Sequence, residues 1–407
     1  MRVLFVSMEY PPETSYGGIG WYVAMMAGAL AGRGHEVHVL SCVRGQPRRD
    51  YLEGRVQVHR RPAPMPIVLH RLMYRAGAPY RPLVRLNAAF ASFREVRRLE
   101  GAFDVIEVPD WYAEGLLLAL FPVTPIVLHL HGPLRVILEA TGKKAGWRER
   151  AADWLERQTA QRAELITSPS RRLSDLLAEG GWSGRTPVRT VRHAIDVDKW
   201  AGVPPPSTDQ VVLAVGTLQR LKGCETLIRA AGVLVHDVAN LQVRFVGRSA
   251  ELAPDGRPYS AYLAGLAEEL GVPVLLTGAL PREALAEQFA GARVVAVASY
   301  HETLSMVGLE ALAAGRPLVC TSATGNAEMI AGSLAGRVVS PGDPVALADA
   351  LRPYLLDQGL AIQAGQAARQ IVRAQASPEV VGAQLEACYR EAIATFRARR
   401  GKGTEPS

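Results

Sequence analysis

Two carboxylates, Glu302 and Glu310, stand eight positions apart in the tract Ser299-Tyr300-His301-Glu302-Thr303-Leu304-Ser305-Met306-Val307-Gly308-Leu309-Glu310-Ala311-Leu312-Ala313-Ala314-Gly315-Arg316-Pro317. The apolar run before them, residues 292–298, reads as a buried strand, and residues 307–314 have helical composition that stops at Gly315, just ahead of Pro317. A helix therefore begins near Ser305. Its first N–H groups, those of Ser305, Met306 and Val307, and the positive end of its dipole suit a diphosphate, with Glu302 before the turn and Glu310 about two turns into the helix. Carboxylates that flank an anion site find natural partners in uncharged hydroxyls, such as those of a sugar and a ribose.

This tract resembles the Glu-x7-Glu motif of the large group 1, or family 4, glycosyltransferases, which are retaining enzymes of GT-B fold. The resemblance implies that Glu302 contacts hydroxyls of the transferred sugar and that Glu310 contacts the ribose of a nucleotide. It extends over nearly the whole chain, with the family's anchor points in the expected order. Residues 12–20 resemble its early glycine loop, where Gly17 and Gly18 lack a Cβ and let backbone amides approach donor phosphates. Gly216-Thr217-Leu218-Gln219-Arg220-Leu221-Lys222-Gly223 resembles its Gly-Arg-Leu-x-x-x-Lys-Gly segment. Lys222 then matches the diphosphate-binding lysine, a compact charge able to neutralise leaving phosphate oxygens. Thr217 departs from the usual Arg, and whether Arg220 compensates stays open at this point. The run Leu128-His129-Leu130-His131-Gly132 resembles the segment with the family's active-site histidine. Strand period points both rings to one face, with His131 at the strand end where chemistry can reach it and His129 expected in the core. By resemblance, His131 stabilises charge on the reacting sugar.

Positioning these residues takes two alternating strand and helix series. Each half opens on a short apolar strand running into a glycine-containing turn: residues 3–7 lead to Gly17-Gly18, and residues 211–216 lead to Lys222-Gly223. Such alternation predicts parallel α/β sheets. With 407 residues, two domains are expected. We read residues 1–198 as an N-terminal Rossmann-like acceptor-side domain. A linker spans 199–210, around Pro204-Pro205-Pro206, and a C-terminal Rossmann-like nucleotide-sugar domain spans 211–377. A last helix over 378–400 is expected to return to the first domain, giving a GT-B fold whose two domains face a cleft. Glu9, Tyr10, Asp110 and Trp111 follow first-domain strands, where acceptor loops belong in an open α/β sheet.

Composition narrows the remaining classes. Hydrophobic residues make up 48% and charged residues 21%, as in a globular enzyme rather than a disordered chain. The four cysteines are scattered, without CxxC spacing, so a reduced cytoplasmic setting is expected. The chain enters a strand at once and reaches Glu9 too soon for a signal-peptide core, and its longest apolar run, residues 115–130, is broken by Pro122 and Pro125. No GxGxxG is present, which disfavours nicotinamide. His35-Glu36-Val37-His38 is one residue short of HExxH, and Asp196-Val197-Asp198 matches the family's Asn-Gly-Val-Asp turn rather than a metal-binding DxD. No cofactor and no metal are therefore expected.

The net charge of +7 is regional: residues 44–98 hold thirteen Arg against Asp50, Glu53 and Glu95, so they carry +10 and the rest −3. Within that stretch Met65, Leu69, Leu72 and Tyr74 alternate with Arg71 and Arg75, which suits either a solvated helical face or peripheral contact with anionic lipid on the inner membrane face. Nucleic acid is not expected, since no recognition signature accompanies the charge. The expected activity is metal-independent transfer of a sugar from a nucleotide sugar, UDP preferred as the commonest family donor, to a small-molecule, glycan or lipid-linked hydroxyl. Front-face attack, with the departing diphosphate accepting the acceptor's proton, accounts for retention. An epimerase of the same architecture and a two-lobed sugar binder are the alternatives.

Overall fold

The computed structural model describes residues 1–12, 18–43, 47–63 and 80–402. Gly17 and the stretch from Met65 to Arg75 lie outside the described residues. The chain divides into two compact units, one formed by Met1–Ala194 together with the helix Pro378–Lys402, the other by Ile195–Ser377.

In the first unit the strands are β1 (Arg2–Val6), β2 (Glu36–Val43), β3 (Arg49–Glu53), β4 (Val56–Pro62), β5 (Val105–Pro109), β6 (Ile126–His129), β7 (Leu165–Ser168) and β8 (Val188–Thr190). They line up as β3-β4-β2-β1-β5-β6-β7-β8, parallel except for the β3–β4 pair. The second unit holds β9 (Val211–Val215), β10 (Gln242–Val246), β11 (Val274–Leu276), β12 (Val294–Val297), β13 (Leu318–Thr321) and β14 (Gly336–Val339), ordered β11-β10-β9-β12-β13-β14 and parallel throughout. Central strands such as β5, β6, β12 and β13 are buried at every position, because helices cover both faces and continuous apolar runs can be desolvated there.

Strand order places the candidate residues. In an open parallel sheet, ligands sit beyond the carboxyl ends of strands where the order reverses. The second sheet reverses between β9 and β12. The loop after β9 carries Lys222, and the loop after β12 carries Glu302 and Ser305. The first sheet reverses between β1 and β5, after which come Glu9 and Asp110, with His131 just past the neighbouring β6.

Three expectations change. The division falls between Ala194 and Ile195, and residues 199–210 belong to the second unit by their packing. Trp200 and Val203 are buried in that unit's core, Trp200 meets the Phe289 ring edge-on at 5.2 Å, the Pro204 carbonyl accepts from Arg316, and Ser207 N–H donates to the Ala292 carbonyl at 3.1 Å. Three prolines marked a fixed path rather than a free linker. Second, residues 49–62 form the β3–β4 hairpin. Arg60, Arg61 and, further on, Arg85 are buried: Arg60 donates to the Tyr10 and Pro11 carbonyls, Arg61 pairs with Asp50, and Arg85 with Glu156. The regional charge is thus partly internal, and no helix among the described residues is long and apolar enough to cross a membrane. Third, Tyr10 is 2% exposed, under the Arg60 guanidinium and within the first core, so it is not an accessible acceptor group.

The terminal helix packs on the first unit. Val381, Leu385, Tyr389 and Ala392 are fully buried there, and Tyr389 Oη donates to Glu107 Oε2 at 2.8 Å.

Candidate functional site

The helix Met306–Ala313 begins where the tract places it. Ser305 caps it, its Oγ accepting from Gly308 N–H at 3.3 Å, and Ser305 N–H donates to Asn326 Oδ1 at 2.8 Å while Asn326 Nδ2 returns to the Ser305 carbonyl at 3.1 Å. Ser305 is thereby engaged as the cap, a correction to its expected role as a free anion-binding amide. The amides of Met306 and Val307, both half-buried, remain at the first turn, where N–H groups have no intrahelical acceptor. Asn326, fully buried, carried no signal in the sequence. A Cβ at Gly308 would lie 2.6 Å from its Nδ2, so glycine is required for this clamp.

Lys222 and Glu302, eighty positions apart, form an ion pair, and Ser299 Oγ donates to Glu302 Oε2 at 3.3 Å. Both side chains keep partial exposure, 29% and 19%. Pairs of this kind contribute about 0–1 kcal/mol, so a ligand can open this one at small cost. Lys222 is aimed by Gly223, whose left-handed φ of 66° starts the helix Cys224–Leu234 and whose absent Cβ would stand 2.0 Å from the Ala298 carbonyl oxygen. Glu310 is 1% exposed and paired with Arg282, a residue for which the sequence held no signal. Burial pushes the Glu310 carboxyl up, opposed by the charges of Arg282 and Lys199. Thr217 is half-buried after β9, while Arg220 is exposed and its backbone N–H donates to Glu251.

In the first unit His131 is half-buried, and its loop is held by Asp110, whose two carboxylate oxygens accept from the His131 and Gly132 N–H groups at 3.0 Å each. Asp110 is fully buried, and desolvation followed by the nearby Glu156 charge raises its carboxyl to about 7. It positions His131 and is not an exposed acceptor group, correcting the expectation. Glu156 extends the frame, accepting from Leu134 N–H at 3.0 Å and pairing with Arg85. Trp111 is half-buried on a short helical turn, edge-on to Tyr112 at 5.3 Å. Glu9 is half-buried with its Oε2 atom enclosed and without a partner among the described residues, and desolvation raises its carboxyl. Gly18 opens the helix Gly18–Gly32 and is exposed.

His129 lies in the core, its Nδ1 2.8 Å from Thr167 Oγ1 and its Nε2 3.4 Å from His193 Nε2. Tyr22 stacks on it at 3.9 Å. Burial pushes His129 and His131 well below the usual imidazole range and His193 to about 4, so all three are neutral at pH 7. His193 Nδ1 is buried without a partner among the described residues, a state that costs about 1–3 kcal/mol. These three histidines are the one group among the described residues whose possible ligand atoms gather, within 4.8 Å of one another. Asp196 and Asp198 serve the turn instead, accepting from Lys199 N–H at 3.2 Å and pairing with Arg373.

Residues 16–199 match the Glycosyltransferase Family 4 model and residues 198–371 the model for glycosyl transferases group 1. The chain is 30% identical over 397 residues to the D-inositol 3-phosphate glycosyltransferase of Corynebacterium jeikeium (strain K411), covering 90% of this chain and 91% of that one. It is 27% identical over 399 residues to a glycogen synthase of Mycobacterium tuberculosis (strain ATCC 25618 / H37Rv), covering 91% and 90%. Among solved structures, sucrose-phosphate synthase from Thermosynechococcus elongatus superposes with a TM-score of 0.75 at 22% identity, covering 97% and 99%. Anabaena Alr3699/HepE in complex with UDP and glucose does so with 0.65 at 19%, covering 95% and 98%. Two parallel α/β units, anchor residues at both sheet reversals and a 30% identical relative matched over nine-tenths of each chain lead to one conclusion: the protein belongs to the group 1 glycosyltransferases of GT-B fold.

Proposed function

We propose that this glycosyltransferase is a retaining, metal-independent enzyme that takes a sugar from a UDP-sugar and places it on a hydroxyl of a small-molecule or glycan acceptor. The observation that carries this reading is the convergence of Lys222 and Glu302 beside the helix that bears Glu310. Lys222 and the Met306 and Val307 amides neutralise the departing diphosphate, with Thr217 on its flank. Glu302 holds sugar hydroxyls after release from Lys222. Glu310 takes the ribose. His131 stabilises the charge that develops on the reacting sugar. With no carboxylate assigned as nucleophile, the acceptor attacks from the face the diphosphate leaves, and the diphosphate oxygen takes its proton.

A UDP donor is supported by the related folds solved with UDP and glucose and with UDP-2-fluoro glucose, and retention by the related fold of trehalose-6-phosphate synthase, studied for glycosyltransfer with retention. The curated relatives are named as glycosyltransferases and synthases, which favours transfer over epimerisation. A cytoplasmic setting and a lipid-linked acceptor remain part of the proposal. The internal engagement of Arg60, Arg61 and Arg85 leaves less charge for an anionic membrane than composition indicates. Incubation with UDP-, GDP- and ADP-sugars without acceptor tests the reading: slow release of UDP with an intact sugar product is expected, whereas isomerised sugar or binding without turnover overturns it. Retention on anionic liposomes at physiological salt distinguishes the lipid-linked acceptor from a soluble one.

A further inference from the structure

Sheet order gathers two histidines in the first unit, His129 and His193, that the transfer reading does not use, beside His131, which it does. β6 ends at His129, β7 contributes Thr167, and His193 follows β8, so three adjacent strands bring His129 and His193 together while His131 enters from the loop after β6. The separation of 3.4 Å between the two Nε2 atoms exceeds an ordinary hydrogen bond. It equals the spacing of about 3.4 Å between two nitrogens bound tetrahedrally to one zinc-class ion at about 2.0–2.1 Å. Thr167 Oγ1, 2.8 Å from His129 Nδ1, occupies the outer position that fixes tautomer and ring direction in metal-binding histidines. The buried Nδ1 of His193, without a partner among the described residues, marks the cluster as polar and incompletely satisfied. His131, the third histidine of the group, is half-buried.

We propose that His129, His131 and His193 bind one divalent transition-metal ion of the zinc class, and that its capture silences sugar transfer by occupying His131. Ring rotations that draw the ligand atoms in from their 4.8 Å spread complete the site. The ion is an inhibitor here, not a cofactor. Binding stands on the geometry alone, whereas inhibition rests on the proposed role of His131.

The test uses the full chain after chelator treatment, titrated with Co2+ and followed by visible absorption. One equivalent with the intense bands of tetrahedral cobalt is expected. His193→Gln should abolish the bands. Thr167→Val, which retains the shape of the side chain, should weaken cobalt binding about 10–100-fold. His59→Ala, in the separate His38–His59 pair, should leave the bands unchanged. Circular dichroism verifies that each variant is folded. Absent bands in the wild-type protein, or bands that persist in folded His193→Gln, overturn the site. One equivalent of Zn2+ should lower acceptor-free UDP release at least about tenfold, reversed by chelator. Should the cobalt bands depend on His193 while zinc leaves UDP release unchanged, the site stands and the role of His131 in transfer fails.

Discussion

The two units treat their candidate residues differently. In the second, Lys222 and Glu302 meet in a pair that keeps partial exposure, at the reversal between β9 and β12. In the first, Tyr10 and Asp110 occupy the equivalent reversal but are buried and engaged in holding loops and core, leaving His131 and Trp111 half-buried. A loop at a sheet reversal can therefore either present its polar groups or consume them. Position in the topology nominates a residue, and hydrogen bonding decides which of the two roles it has.

Substitutions can break or sharpen this contrast. Lys222→Ala should lower turnover about a hundredfold or more, since removing one preorganised group that stabilises developing negative charge costs about 2.7–4 kcal/mol of barrier. Steady-state kinetics on the best donor reads this, and near wild-type turnover would remove the second unit's claim to the diphosphate. Asp110→Ala should destabilise the first unit on the order of 2–4 kcal/mol by orphaning the His131 and Gly132 amides. Thermal melting reports the loss, and an unchanged midpoint with a raised acceptor KM would return Asp110 to the acceptor.

Smaller effects separate the two glutamates. Glu310→Ala should weaken UDP binding about ten- to a hundredfold, the range for a lost hydrogen bond to a charged group, whereas Glu302→Ala should leave UDP binding nearly intact and alter the choice of donor sugar. Calorimetry with UDP alone measures the first, and equal losses in both variants would erase the division between ribose and sugar contacts.

The smallest expected effect concerns pH. Desolvation raises the Glu107 carboxyl from 4.5 to about 7, while the Tyr22 and Tyr389 hydroxyls that donate to it pull the other way. A folded pKa above the unfolded one means that the protonated form favours the fold. This stabilisation is complete below about pH 4.5 and is lost as pH rises through 7. Glu107→Gln should flatten the decline between pH 5 and 7 by about 1–2 kcal/mol. Melting curves at both values would contradict this if the slopes matched.

Much of the second unit's candidate site was legible because its signals are local. Residues 292–315 encode strand, turn, cap and helix in order, and the strand runs of both sheets announce themselves by apolar length. The β3–β4 hairpin was obscured because its arginines are buried by partners far along the chain, such as the Tyr10 carbonyl for Arg60. The proline run at 204–206 looked like a linker because a fixed backbone and a flexible one share the same residues until packing distinguishes them.

The sequence by itself determined the periodicities, the glycine turns and the identities of the charged groups, all of which act over a few residues. Only the tertiary structure decided which of them meet: Arg282 with Glu310, Asn326 with Ser305, His193 with His129. Those pairings depend on strand order and register, which bring together residues 21 to 64 positions apart, and desolvation in the assembled core then fixes whether each group is charged, engaged or available.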